Sequence, residues 1–160
     1  MLDVDAILSS APQTVGAMFR WRVERTPAKE AFRYPDENEN WVSIDWAETG
    51  RRVDELAAGL ISLGLKLEDR VAIVAGTRIE WVLADYAINA AGGATTTVYP
   101  NTTGPDFAHI ITDSESVVLV AENADQLAKL DALDAGSHRV RSIVLLDGEG
   151  DGERVLSWSQ

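Results

Sequence analysis

Apolar positions in the first third of the chain predict a helix followed by a hairpin. The helix covers residues 14–26, with Thr14 as its cap and Thr26-Pro27 as its end. Its apolar positions fall near one face and are Val15, Met18, Phe19 and Val23. Two short strands follow at Glu30–Tyr34 and Trp41–Ile44, and the polar stretch between them, PDENEN, predicts the turn of a hairpin.

A second amphipathic helix begins with a capping box at Asp45-Trp46-Ala47-Glu48. In this motif the cap side chain and the carboxylate three residues later both accept hydrogen bonds from free backbone N–H groups. The apolar positions of the helix recur at helical spacing and are Val53, Leu56, Ala57, Leu60 and Leu63. We expect Gly64 to end the helix in a left-handed conformation, with Leu65 packing back onto the last turn.

From residue 70 onward, apolar strands alternate with helices. The predicted strands are Arg70–Ala75, Ala94–Tyr99, Val117–Ala121 and Ser142–Leu146. The predicted helices run from a capping box at Thr77-Arg78-Ile79-Glu80 to about Ala91, over about Pro105–Thr112, and from the cap Asn123 to about Leu133. Strands without polar alternation are covered on both faces. The pattern therefore predicts an α/β fold with a mostly parallel, flavodoxin-like or doubly wound sheet of βαβ units.

The whole chain, 1–160, is expected to form a single α/β unit with three parts. The helix and hairpin occupy 14–44, the βα repeats occupy 45–146, and an acidic turn with the end of the chain occupies 147–160. One short strand fits the last stretch, VLSWSQ, but no helix follows it to complete another βα unit.

Composition narrows the possible functions. The 160 residues include 26 acidic and 14 basic side chains, which gives a net charge of −12, and no basic run counters it. Such a surface repels phosphodiester backbones and offers no electrostatic attraction to anionic membranes, so no nucleic-acid partner is expected. The lack of cysteine excludes disulfides, thiolate zinc sites and a cysteine nucleophile.

Targeting signals are also missing from the sequence. The first ten residues, MLDVDAILSS, have neither the basic nor the apolar region of a signal peptide. No apolar run is long enough for a transmembrane segment. A cytoplasmic location is therefore expected.

No glycine-rich phosphate loop accompanies the predicted sheet. The turn after the first strand of the repeats is Gly76-Thr77-Arg78, and neither G-x-G-x-x-G nor G-x-x-x-x-G-K-[ST] occurs. Gly92-Gly93 precedes a strand, at the wrong edge of the sheet for phosphate, and is interpreted as a helix stop.

Arg78 follows a strand, on the side where such folds bind ligands. An anion contact fits it, but a solvated position at the start of a helix is favoured.

Metal and nucleophile chemistry find little support. Four residues match the first, third, fifth and sixth positions of a calcium loop, and these are Asp147, Glu149, Asp151 and Gly152. Trp158 stands where that loop needs glutamate, so a solvated turn is favoured. His109 and His138 are the only histidines, and neither has a second histidine at ligand spacing. No G-x-S-x-G elbow is present to expose a serine nucleophile.

Four aromatic side chains fit either a pocket or the core. They are Trp41, Trp46, Trp81 and Tyr86. Trp81 shares a helix face with Asp85, and apolar residues surround both. Core or subunit packing is the favoured role.

Two long segments resemble the opening of adenylate-forming, or AMP-binding, acyl-CoA ligases. The first is WVSIDWAETGRRVDELAAGLISLGLKLEDRVAI. The second is TRIEWVLADYAINAAGGATTTVYPNTTGPDFAHIITDSESVVLVAE, in which Glu80-Trp81, Tyr99-Pro100 and Asp113-Ser114 fall in register with the family pattern. The resemblance covers about residues 14–146 and is greatest to bacterial long-chain fatty-acid–CoA ligases.

Departures from the family pattern limit what the resemblance implies. Leu67-Glu68-Asp69 replaces a family glycine, and Thr97-Val98 stands where Val-Pro is usual. The family's Ser/Thr/Gly-rich ATP loop, Y-G-x-T-E segment, ribose-binding Asp, hinge and C-terminal adenylation lysine have no counterpart in this sequence. We therefore expect no catalytic residue, no metal site and no cofactor held by this chain. No position is assigned to cofactor binding.

The resemblance implies that the full-length enzyme joins a long-chain fatty acid to CoA. The fatty-acid carboxylate attacks the α-phosphate of ATP, assisted by Mg²⁺, to give an acyl-adenylate and pyrophosphate, and the CoA thiol then displaces AMP. This chain would be the N-terminal part of the adenylation domain and inactive alone. The full-length enzyme would be cytoplasmic or peripheral at a membrane.

Two alternatives stay open at this point. One is a stand-alone flavodoxin-like module that binds a nucleotide or CoA. The other is an interaction module that forms a homodimer, or exchanges strands or helices, through uncovered faces.

Overall fold

The computed structural model describes residues 11–36 and 38–160. The ten N-terminal residues, for which the sequence predicts no signal peptide, and Glu37 in the predicted hairpin turn lie outside them. In chain order the elements are α1 (Val15–Arg25), β1 (Glu30–Pro35), β2 (Trp41–Asp45), α2 (Trp46–Ser62), β3 (Arg70–Val74), α3 (Ile79–Ala90), β4 (Ala94–Val98), α4 (Gly104–Asp113), β5 (Val118–Ala121), α5 (Ala124–Asp131), β6 (Ser142–Leu145) and β7 (Val155–Ser157). The sequence predicted each of these elements to within a few residues.

The strands form two sheets. β1 and β2 pair antiparallel as the predicted hairpin. The other five strands pair parallel in the order β4-β3-β5-β6-β7. Counted from β3, this is the order 2-1-3-4-5 of flavodoxin-like sheets, so the predicted fold class is confirmed. β7 is the short strand expected near the end of the chain, and it joins the sheet without a preceding helix.

Helices cover both faces of the sheet, and each face has its own core. On one face, α1, α2 and α3 pack on the strands through residues that include Phe19, Val53, Leu83, Ile88, Val71, Ile73 and Val120. On the other face, α4 and α5 pack through residues that include Phe107, Ile111, Leu130, Val74, Leu119 and Ile143. Successive side chains along β3 and β5 point into the two cores in turn, which explains why these strands are apolar at successive positions.

Two glycines end helices as predicted. Gly64 adopts a φ of +84°, and the Leu65 N–H donates to the Leu60 carbonyl over 3.1 Å. Gly92 also adopts a φ of +84°, and the Gly93 N–H donates to the Ile88 carbonyl over 2.9 Å. Both arrangements satisfy carbonyls that would otherwise be free at the helix end.

The predicted caps are confirmed at three helices and wrong at one. The Thr14 hydroxyl, the Asp45 carboxylate and the Asn123 amide oxygen each accept backbone N–H groups at the start of α1, α2 and α5. Only the Asp45 half of the predicted capping box forms, because the Glu48 carboxylate accepts from Arg51 and Arg52. α3 begins one residue later than its predicted capping box requires. Its cap residue is Arg78, and no side chain accepts a hydrogen bond there.

The buried face of α1 differs in part from the predicted one, Val15, Met18, Phe19 and Val23. The predicted face combined Val15 and Met18 with Phe19, but their side chains are 44% and 52% exposed. The prediction is confirmed for Phe19, which is buried, and for Val23, which packs against the same core, whereas Gly16 is buried in place of Val15 and Met18. Close packing on α3 explains the difference, because a Cβ at Gly16 would lie 2.8 Å from the Asn89 carbonyl oxygen. The helix therefore turns its glycine side inward.

Candidate functional site

The strand order places a topological switch point between β3 and β5. The chain leaves β3 for β4 on one side and then builds β5, β6 and β7 on the other. In open α/β sheets, ligands bind outside the carboxyl ends of the strands at such a point. Three segments meet there: Gly76-Thr77-Arg78 after β3, Glu122 after β5 and Asp147 after β6.

Arg78 is the centre of an ionic cluster at this edge, which we call the Arg78 cluster (Arg78, Glu80, Glu122 and Asp147). The Nε atom of Arg78 donates to Glu80 Oε2 over 2.6 Å, and its Nη1 atom donates to Asp147 Oδ2 over 2.6 Å. Nη1 also lies 3.9 Å from Glu122 Oε1. The favoured interpretation of Arg78 as a solvated helix-start residue is therefore wrong, since its side chain is only 30% exposed.

Backbone geometry holds the partners of Arg78 in place. The Glu122 N–H donates to the Val74 carbonyl over 2.9 Å, and the Asp147 N–H donates to the Glu122 carbonyl over 2.8 Å. These bonds extend the pattern of the parallel pairing one residue past β5 and two residues past β6. The Glu122 and Asp147 carboxylates therefore extend from backbone positions that hydrogen bonds fix at the end of the sheet.

The electrostatics of the cluster are dominated by its carboxylates. The hydrogen bond to Asp147 raises the pKa of Arg78, burial opposes that rise, and the bond to Glu80 adds to it. One guanidinium faces three carboxylates, so the formal charge of the cluster is 1 − 3 = −2. This excess of negative charge disfavours a phosphate ligand.

A cleft of about 850 Å³ lies between the hairpin and the start of α3. Its walls include Tyr34, Trp41, Thr77, Arg78 and Val82. Trp41 is 71% exposed and is the one aromatic of the four sequence candidates that faces solvent to this extent. The cleft therefore joins an aromatic wall to the Arg78 cluster.

A core position is wrong for Trp41, whereas the other three aromatic candidates are half-buried and pack against the core. Phe19 stacks on Tyr86 with ring centroids 4.5 Å apart and lies 6.2 Å from Trp46. Trp81 packs against the same core. On the same helix, Asp85 accepts a 2.6 Å hydrogen bond from the Thr95 hydroxyl and so attaches α3 to β4.

A second concavity, the β7 groove, crosses the open end of the sheet on the α2 and α3 side. Its volume is about 470 Å³, and its apolar floor includes Leu60, Leu83, Val144, Leu156 and Trp158. Val144 and Leu156 are half-buried. The strands β6 and β7 thus present apolar side chains on this face that α2 and α3 cover only in part.

The other sequence candidates do not come together. Asp147 binds Arg78, whereas Asp151 Oδ1 accepts the Glu153 and Val155 N–H groups over 2.8 and 2.9 Å. The acidic stretch is therefore a turn in which the Asp151 carboxylate holds backbone N–H groups of the same turn. Among the residues that the structure describes, no three His, Asp or Glu side chains are grouped to hold a metal ion.

The two histidines lie in different surroundings. His109 is exposed on α4. The Nδ1 atom of His138 accepts the Val140 N–H over 3.1 Å. Burial and, to a smaller extent, the charge of Arg154 lower the pKa of His138.

Within residues 11–36 and 38–160, no helix is long and apolar enough to cross a membrane.

Sequence reasoning identified Arg78 but not its partners. Glu122 and Asp147 carried one usable signal, since each is the first acidic residue after a predicted strand. Only the strand order brings these two ends beside Arg78.

Comparison with known proteins assigns the chain to a family. The family described as AMP-binding enzyme matches residues 19–160. The chain belongs to the AMP-binding enzyme family. It is 34% identical over 110 residues to the long-chain-fatty-acid–CoA ligase FadD15 of Mycobacterium tuberculosis, which covers 69% of this chain and 18% of that protein. It is 29% identical over 140 residues to the long-chain-fatty-acid–CoA ligase heimdall of Drosophila melanogaster, which covers 86% of this chain and 21% of that protein.

Solved structures of two ligases share the fold. A long-chain-fatty-acid CoA ligase from Rhodopseudomonas palustris superimposes with a TM-score of 0.75 at 22% identity, over 91% of this chain and 35% of that one. Coronafacic acid ligase from Pectobacterium brasiliense gives a TM-score of 0.78 at 15% identity, over 92% of this chain and 29% of that one. The chain spans about a fifth of the length of the curated relatives named above.

Proposed function

We propose that this chain is the N-terminal portion of an ATP-dependent long-chain fatty-acid–CoA ligase. The observation that carries the proposal is the family match over residues 19–160 together with 34% identity to a ligase of that name. In the full-length enzyme, adenylation of a fatty acid would precede thioester formation with CoA. Residues 1–160 would form one α/β unit of a larger adenylation domain.

The described residues do not fit the triphosphate of ATP. The turn after β3 holds a single glycine, and three carboxylates surround the guanidinium that would meet the phosphates. Binding of ATP, Mg²⁺ and CoA therefore belongs to the full-length enzyme, and this chain contributes no catalytic residue. Its role is to supply the scaffold on which the remaining domain packs.

The isolated chain provides the first test of this proposal. Purified chain, incubated with ATP, Mg²⁺, labelled pyrophosphate and a long-chain fatty acid, should exchange no label into ATP. Exchange by the isolated chain would contradict the proposed inactivity. Sequencing the gene past codon 160 tests whether the chain is the N-terminal portion of a longer ligase. The expected result is an open reading frame that continues and encodes a Ser/Thr/Gly-rich loop.

The second candidate function is a stand-alone module, and the β7 groove favours its self-associating form. Half-buried Val144 and Leu156 lie beside the unpaired edge of β7, the last strand in the described sheet. Apolar surface of this kind is typical of interfaces. A module that binds a nucleotide or CoA is less well supported, because the switch-point edge is negatively charged.

Sedimentation tests the self-associating form. If the chain forms homodimers through the β7 groove, Leu156→Asp should weaken association about tenfold, since it places a charge in an apolar contact. Leu67→Asp is the matched control, because Leu67 is 80% exposed outside the groove and its replacement should have no effect. A wild-type chain that stays monomeric at all concentrations would exclude this form.

We also propose a cytoplasmic location with peripheral attachment to a membrane for the full-length enzyme. A long-chain fatty acid is concentrated in bilayers, so a ligase that uses it gains by working at their surface. This location calls for a surface on the protein that contacts lipid.

A further inference from the structure

One side of α1 leaves three large apolar side chains exposed. Val15 is 44% exposed, Met18 52% and Trp21 45%. At three-residue spacing they lie on one side of the helix, and Arg22 and Arg25 lie on that side too. We call these five residues the α1 outer face. A continuous apolar surface of this kind favours a partner that covers it.

Core packing fixes which residues α1 turns outward. A Cβ at Gly16 would lie 2.8 Å from the Asn89 carbonyl oxygen, so this side of the helix is pressed against α3. Phe19 is 4% exposed and stacks on Tyr86. The helix cannot rotate to bury Met18 without giving up these contacts. The α1 outer face is therefore a fixed surface of the described fold.

The two arginines of the outer face keep their charge available. The Arg22 guanidinium lies 5.2 Å from the centroid of the Trp46 ring, and that of Arg25 lies 5.1 Å from the centroid of the Trp21 ring. Such contacts orient a guanidinium without neutralising it. Among the residues that the structure describes, no carboxylate forms an ion pair with either arginine. The face therefore offers two cations to an acidic partner.

A segment of matching chemistry comes immediately before α1. Residues 1–10 read MLDVDAILSS, with acids at Asp3 and Asp5 and no basic side chain. Apolar residues of the segment recur at helical spacing and are Val4, Ile7 and Leu8. On a helix the two acids would flank this apolar side. The segment thus combines apolar side chains with negative charge, where the α1 outer face combines them with positive charge.

The linker between this segment and α1, residues 11–14, is suited to a reversal of the chain. The backbone bends at Ala11 and Gln13, and the Gln13 Nε2 atom donates to the Ala11 carbonyl over 2.8 Å. Pro12 disfavours helical backbone at the residue before it, and the Thr14 hydroxyl then caps α1. Antiparallel helices are joined by roughly two to five residues, a range that includes this linker.

We propose that residues 1–10 fold back at this linker and cover the α1 outer face. A helix of ten residues is about 15 Å long, and α1 with its 11 residues is about 16 Å long, so the two lengths match. Reversal at the linker brings Ser10 beside Val15. The pairs that follow in antiparallel register are Asp3 with Arg22, Val4 with Trp21, and Ile7 with Met18.

Charge and proximity favour this segment over other occupants. A second copy of the face would set two more arginines against Arg22 and Arg25. A partner protein or a lipid has to bind from solution, whereas a short linker holds residues 1–10 at an effective concentration on the order of millimolar. This docking is independent of the proposed ligase reaction.

Disulfide trapping in the 160-residue chain tests the proposed contact. Because the sequence contains no cysteine, the variant Ile7→Cys with Met18→Cys holds only the pair introduced. A disulfide needs Cβ atoms about 3.5 to 4.5 Å apart, so glutathione disulfide should close this pair rapidly. Ile7→Cys with Tyr99→Cys is the matched control, since Tyr99 is 79% exposed beyond the carboxyl end of β4. The first pair should close at least about tenfold faster than the control pair.

Charge exchange tests the ionic part of the contact. Asp3→Lys with Asp5→Lys should slow closure of the first cysteine pair about threefold, and Arg22→Glu with Arg25→Glu should do the same. All four changes together should restore closure to within about twofold of the original rate, because attraction returns with the signs reversed. A general structural fault in one variant would not be repaired by the other.

Each variant is first checked for the circular dichroism spectrum and the cooperative thermal transition of the wild-type chain. Equal closure of the two cysteine pairs, or no rescue by the combined charge changes, would overturn the proposal. Disulfides that join two chains, seen as dimers in a non-reducing gel, would overturn it in favour of a second copy. If the first pair stays open and only phosphatidylglycerol vesicles shield Met18→Cys from a soluble maleimide, lipid is the occupant and the proposal is overturned.

Discussion

Arg78 Nη1 donates a 2.6 Å hydrogen bond to Asp147 Oδ2, although the two residues stand 69 positions apart. The bond joins the turn that begins α3 to the loop that follows β6. It lies at the edge of the sheet where the strand order reverses. Since α3 begins without a side-chain cap, this contact and the bond to Glu80 hold its first turn at the sheet.

The first prediction concerns the strength of that contact. In a double-mutant cycle of Arg78→Ala and Asp147→Ala, we expect a coupling free energy of about 1 kcal/mol. The value is modest because Asp147 is 52% exposed to solvent. Urea unfolding of the four proteins measures it. The Arg20–Asp54 pair, with both side chains more than half exposed, is the control and should couple by less than about 0.5 kcal/mol.

Equal coupling in the two pairs would contradict this account. It would mean that the switch-point position of Arg78 contributes nothing beyond an ordinary surface ion pair.

The second prediction compares two helical glycines. Gly16→Ala should lower the free energy of unfolding by about 2 kcal/mol, because its Cβ would lie 2.8 Å from the Asn89 carbonyl oxygen and force α1 away from α3. Gly59→Ala should raise it by about 0.5 to 1 kcal/mol, since a Cβ there meets nothing within 4 Å and alanine favours the helix. Urea denaturation tests both. A Gly16→Ala protein as stable as wild type would show that α1 does not pack this closely.

The third prediction concerns stability in acid. Hydrogen bonds from Arg51 and then Arg52 lower the pKa of Glu48 from 4.5 to about 2. A carboxyl whose pKa is lower in the folded state stabilises the fold above its unfolded pKa. That contribution should therefore be present above about pH 4.5 and disappear as the pH falls toward about 2.

Glu48→Gln is the variant that reveals this dependence. The difference in unfolding free energy between wild type and Glu48→Gln should shrink as the pH falls through that window. Arg51→Gln should narrow the pH range over which this difference changes, because it removes the largest cause of the lowered Glu48 pKa. A difference that stays constant with pH would contradict the lowered pKa of Glu48.

Local chemistry was enough to predict most of the fold. The apolar runs at β3 and β5 follow from burial on both faces, and Gly64 and Gly92 follow from the left-handed conformation that ends a helix. The parallel direction of the strands β3 to β6 follows from their alternation with helices. These features depend on neighbours in sequence, so the sequence is sufficient to predict them.

Features that depend on distant contacts were missed. Periodicity cannot show that Gly16 belongs to the buried face of α1, because Gly16 carries no apolar side chain and yet packs closely on α3. The predicted cap at Thr77 failed because ion pairs of Arg78 with Glu80 and Asp147 fix the start of α3. In both cases a tertiary contact outweighs local preference.

The most direct test of the central claim is ATP–pyrophosphate exchange by a chimera. In it, this chain replaces the matching segment of Mycobacterium tuberculosis FadD15, and FadD15 lacking that segment is the control. If the chain is the N-terminal portion of a fatty-acid–CoA ligase, the chimera should show exchange that depends on a long-chain fatty acid, and the control should show none. A chimera that folds, as judged by circular dichroism and a cooperative thermal transition, but exchanges no pyrophosphate would contradict the claim.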